Sequence, residues 1–84
     1  MKYNKHKFVN YVSQSTTRRT AYKYAQLLNN LNQHLKLDLN CTVNQAKEHL
    51  NTITELVSLN ALLPSHATAW RKLIKFKSIK HDNS

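Results

Sequence analysis

Eighty-four residues with a formal charge of +9 make one small domain, because a second hydrophobic core cannot be assembled from what such a chain leaves over. The absence of glycine, with a single proline, argues against tight hairpins, sandwiches and glycine loops that cradle phosphate, since each favours left-handed backbone or close main-chain approach. An apolar fraction of 40% is still enough for the chain to fold rather than stay disordered. Helices joined by short polar turns remain.

A first short helix is predicted over residues 4–13, where Phe8, Tyr11 and Val12 recur at helical spacing. Ser15, Thr16 and Thr17 then offer hydroxyl caps to the next helix and disfavour continuing the first. From Arg18 to Leu35, the set Ala21, Tyr24, Ala25, Leu28, Leu31 and Leu35 advances by three or four residues at each step, which defines one buried face. The opposite face collects Arg19, Lys23, Gln26, Asn30 and Gln33. Lys36 to Cys41 reads as a loop, with Leu37 and Leu39 tucked against the core.

Thr42 and Gln45 fit a capping box that starts a third helix. Val43, Ala46, Leu50, Ile53 and Val57 face inward there, Leu56 and Leu59 widen the stripe, and Lys47, Glu48, Asn51 and Glu55 form a nearly neutral outer side. Pro64 stops this helix near Asn60 and, with Ser65, opens the last one. In residues 66–79, Ala69, Trp70, Leu73 and Phe76 face inward, with Trp70 anchoring the bundle and its indole N–H at the rim, while Arg71, Lys72 and Lys75 face out. The predicted fold is an all-α bundle of four helices, ordered over about residues 5–79 with basic tails at both ends.

Charge is uneven along this frame. Residues 1–23 carry Lys2, Lys5, Lys7, Arg18, Arg19 and Lys23 without an acid, residues 24–70 are slightly acidic, and residues 71–84 add Arg71, Lys72, Lys75, Lys77 and Lys80 against Asp82. Lys2, Lys5, Lys77 and Lys80 fit the ordinary role of lysine-rich ends in solubility. Arg18, Arg19 and Lys23 instead stand at a helix N-terminus, where the macrodipole favours anions. A bound phosphate would benefit from both the arginines and the helix end.

Enzymatic chemistry finds little support. His6, His34, His49, His66 and His81 show no metal-ligand spacing, and Asp38, Glu48, Glu55 and Asp82 no pairing for acid and base work. Cys41 reads as a small buried residue rather than a nucleophile. As a lone cysteine it gives no reason to expect an oxidising compartment. With no bilayer-length apolar run and no signal-peptide pattern, a soluble, cytoplasmic, non-enzymatic protein is expected, without cofactor, metal, membrane or small-molecule substrate. Tyr22 and Tyr24 interleave with Arg19 and Lys23 and offer a stacking surface, although Tyr24 fits the core better.

The order Phe8-Val9-x-x-Val12, a threonine turn, then Arg18-Arg19-Thr20-Ala21-Tyr22 opening a long amphipathic helix resembles the start of the core-binding domain of tyrosine recombinases and phage integrases. The segment from Ser65 through Ala69, Arg71 and Leu73 to Phe76 resembles that family's closing helix, and the likeness spans about residues 5–79. It implies a SAM-like four-helix domain, encoded by a phage or other mobile element, that holds duplex DNA during recombination with its second and fourth helices in the major groove. The site residues would be Arg18, Arg19, Lys23, Arg71, Lys72 and Lys75. None of Tyr3, Tyr11, Tyr22 or Tyr24 sits in the context of that family's nucleophile, so cleavage does not carry over.

Duplex DNA is therefore the expected partner. The rival expectation is a basic interaction module, such as a phage inhibitor or adaptor, docking on an acidic protein through an apolar patch among Leu37, Leu39, Leu59, Leu62 and Leu63. RNA recognised by shape is a third.

Overall fold

The computed structural model describes residues 3–81, with side chains up to residue 79; Lys2, Lys80 and Asp82 of the charge reading fall outside the described side chains. Four helices follow in order, α1 (Lys5–Val12), α2 (Arg18–Leu35), α3 (Val43–Ser58) and α4 (Pro64–His81), and among the described residues there is no strand. The all-α four-helix bundle is the predicted architecture.

Each helix starts on a side chain or ring chosen for the job. Asn4 caps α1 by accepting from the Lys7 N–H at 3.1 Å. Thr17 caps α2 by accepting from the Thr20 N–H at 3.2 Å. Thr42 and Gln45 close the predicted capping box, each side chain accepting from the other's N–H at 3.1 Å. Pro64 occupies the first position of α4, where its missing N–H costs nothing, and the preceding Leu63 N–H donates to Nδ1 of His66 at 3.1 Å.

The helix ends show how a chain without glycine makes left-handed turns. Lys36 ends α2 at φ 58°, and Asn60 follows α3 at φ 62°. Asn tolerates this region better than most residues. It closes a Schellman arrangement in which the Ala61 N–H donates to the Leu56 carbonyl at 2.9 Å and the Asn60 N–H to that of Val57 at 3.0 Å. That motif stops α3 at Ser58, two residues before the predicted end, and carries Leu59 onto the turn. Leu59 is consequently exposed and not part of the inward stripe. At the other end, α4 continues past residue 79 to His81.

α4 is the central element, packing on each of the other three helices, while α1 also packs on α2; among the described residues α3 approaches no helix but α4. Phe8, Val9 and Val12 of α1, Leu28 and Leu31 of α2, Ile53 of α3, and Trp70 and Leu73 of α4 are fully enclosed. Phe76 ties the C-terminal half of α4 to α1, its ring 5.7 Å from both Phe8 and Tyr11. Val9 and Leu27 join the core without having stood out in the periodicity, Tyr11 and Tyr24 are half-buried against it, and Leu37 is tucked under the loop as expected. The Trp70 indole is not at the rim. It is wholly enclosed, and its N–H donates to the Ala46 carbonyl at 2.7 Å, so the polar end of the ring is satisfied inside the bundle.

Candidate functional site

Each of the six predicted cations is accessible. Arg18, Arg19 and Lys23 are exposed along the first two turns of α2, Arg71 and Lys75 are exposed one turn apart on α4, and Lys72 beside them is half-buried. The mechanism of exposure differs between the two helices. Thr17 fixes where α2 begins, so Ala21, Ala25 and Leu28 take the core and the arginines fall on the outer side. On α4, Trp70, Leu73, Phe76 and Lys77 turn inward and leave Arg71 and Lys75 on the far side. The two helices pack directly on one another, yet among the described residues no hydrogen bond or ring contact joins the α2 trio to the α4 trio.

No acid occurs in the first turn of α2 to offset its cations. The outer side of α3, with Lys47, Glu48, Asn51 and Glu55 all exposed, keeps charges of both signs. Exposed positive charge thus lies on α2 and α4, and also on α1 at Lys5 and Lys7, while α3 carries both signs.

A smaller constellation lies beside this surface. Tyr22 is 42% exposed, with the Arg18 guanidinium 5.8 Å and the Lys5 Nζ 6.0 Å from its ring centroid. Next to it is a concavity of about 480 Å³ lined by Tyr3, Lys5, Ala25, Gln26, Asn29 and Leu39 together with Tyr22 itself. The N-terminal segment is held there by the Tyr3 N–H, which donates to Oδ1 of Asn40 in the loop before α3. Burial pushes the Tyr3 phenol up to about 12, so it stays protonated over the physiological range. Lys5 read as a solubility residue in the sequence. Its place beside Tyr22 is three-dimensional, because α1 and α2 must pack before Lys5 reaches the ring.

Lys77 requires a correction. It is not a solvated tail residue: it is 2% exposed, and its Nζ donates to the Leu39 carbonyl at 2.6 Å. Burial pushes its ammonium down from 10.5, while Cys41 and Asp38 pull it back up. Burial likewise pushes the Cys41 thiol up, with Lys77 opposing and Asp38 assisting; a buried thiol of this kind is a poor nucleophile. Because the unfolded chain holds the Lys77 proton more tightly, raising the pH through the folded value towards 10.5 relieves a cost of burial and stabilises the fold. The stability of Lys77→Met relative to the parent chain should therefore fall as the pH rises towards 10.5, read from urea midpoints. A gap independent of pH would show that the folded chain holds the Lys77 proton as tightly as the unfolded one.

The exposed apolar residues also divide. Leu37 is buried and Leu39 and Leu62 are half-buried, but Leu59 and Leu63 stand 68% and 63% exposed on the turn between α3 and α4. Beside that turn, Leu31, His34, Leu35, Leu62 and His66 line a second concavity of about 300 Å³. Among the described residues, no group of three His, Cys, Asp or Glu side chains is placed to hold a metal ion, and no helix is long and apolar enough to cross a membrane.

Comparison with known proteins gives no match to any family model, curated protein or solved structure.

Proposed function

We propose that the chain is a non-enzymatic DNA-binding domain that holds duplex DNA through Arg18, Arg19 and Lys23 of α2 and Arg71, Lys72 and Lys75 of α4. The observation that carries this reading is the placement of five exposed cations and the half-buried Lys72 on two directly packed helices, with a helix of mixed charge, α3, packed on α4. Phosphate neutralisation would supply most of the affinity. The helix N-terminus at Arg18 would add main-chain donors to the contact. In the core-binding arrangement that the sequence resembles, these two helices face the major groove, and base edges would be read by side chains near its floor. The test is a titration of the chain with duplex DNA, single-stranded DNA and duplex RNA at two salt concentrations. Tightest binding to duplex DNA, with one sequence still preferred at the higher salt, is expected.

A protein-interaction module is the second reading, favoured by the exposed Leu59 and Leu63. The positive charge would then steer encounter with an acidic protein. Failure to bind all three nucleic acids in that titration would reject the first reading and leave this one.

A further inference from the structure

We propose that the concavity beside Tyr22 takes one unpaired nucleotide, its base stacked on the Tyr22 ring and its phosphate met by Lys5 and Arg18. This rests on the nucleic-acid reading above and names a ligand unit that the duplex-facing cations would not themselves recognise. The size fits, since about 480 Å³ lies within the range of small-ligand sites. The lining fits as well. Ala25 and Leu39 give apolar walls, and the Gln26 and Asn29 amides each carry donors and an acceptor that can pair with a base edge. No carboxylate lines the space, and Lys5 does, so an anionic ligand is favoured.

Tyr22 itself carries the argument for a base. Tyr22 is 42% exposed, and once the Lys5 and Arg18 head groups over its ring move to a phosphate, the ring offers a stacking face to any nucleobase irrespective of sequence. The cations at 5.8 and 6.0 Å lie at the outer limit of contact with the ring, and on their long stems they can swing to a phosphate beside it. Bases inside a duplex are stacked on one another and present only their edges in the grooves, so the ring can engage only a base that is unpaired. Tyr22, Ala25, Gln26 and Asn29 recur at helical spacing along one side of α2, while Lys5 comes from α1 and Leu39 from the loop. The site therefore exists only in the folded bundle.

The experiment measures anisotropy of three labelled DNAs: a blunt duplex, the same duplex with a one-nucleotide overhang, and that overhang made abasic. Stacking on an aromatic side chain changes affinity about 5- to 150-fold per base, and the parent chain should prefer the intact overhang by roughly tenfold over the other two. Tyr22→Ala should remove the preference and Tyr22→Phe should keep it, with circular dichroism reporting that both remain folded. Equal binding of intact and abasic overhangs by the parent chain would overturn the pocket while leaving the duplex reading in place. No binding to any of the three would overturn both. Adenosine monophosphate serves as the remaining probe: saturable binding of it without overhang preference would assign the pocket to a free nucleotide and reject the strand-borne one.

Discussion

Replacing Trp70 with Ala is expected to cost the fold about 3–5 kcal/mol, the range for deleting a large buried aromatic side chain. A chain of this size has in total only roughly 4–13 kcal/mol to lose. The loss is large because of where the ring sits. Trp70 is fully enclosed on the helix that contacts all the others, and its N–H bridges to Ala46 at 2.7 Å, so one side chain joins α3 to the rest of the bundle. α3 has no other helix to lean on among the described residues, and it should loosen first. Trp70→Phe would keep most of the buried area and forfeit the hydrogen bond, costing about 1–2 kcal/mol if repacking is modest. Urea unfolding followed by circular dichroism at 222 nm reads both variants. A midpoint for Trp70→Ala close to that of the parent chain would contradict the central place given to this residue.

What the sequence made legible was local. The bounds of α2 follow from a threonine cap and an unbroken apolar period, the start of α3 from a reciprocal cap at Thr42 and Gln45, and the start of α4 from Pro64. These signals act within a few residues, so they survive without knowledge of the tertiary structure. What stayed hidden depends on partners far away in the chain. Lys77 looks like a solvated tail lysine until the Leu39 carbonyl, 38 residues earlier, is brought to it. The Trp70 N–H has its acceptor 24 residues away. Lys5 and Tyr22 come together only when α1 lies on α2. Leu59 left the core because Asn60 could adopt a left-handed conformation and end α3 early, a choice that periodicity of the apolar residues does not encode. The six candidate cations were legible for a simpler reason: a charged side chain opposite an apolar stripe has nowhere to go but outward.

The second large effect is the response of DNA binding to salt. With about five to seven phosphates neutralised, log K should fall against log salt with a slope on the order of −5 to −6. Over the fourfold change from about 50 to 200 mM, that slope amounts to roughly a 10³-fold loss of affinity. The number depends on contacts that the fold leaves open. None of the six cations is fully buried, unlike Lys77, whose charge is already committed to the Leu39 carbonyl and which should contribute nothing to the slope. Converting Arg18 and Arg19 together to Ala should reduce the slope by about 2, weaken binding to all duplexes alike where the contacts are to backbone, and leave helicity unchanged because both side chains are exposed. Converting Arg71 and Lys75 should do the same from α4. If the α2 pair lowers the slope and the α4 pair does not, the interface is confined to α2 and the two-helix surface is wrong. If neither pair changes it, the charge serves something other than nucleic acid. A reduction from each pair, additive in the fourfold variant, is the outcome that a single surface spanning α2 and α4 requires.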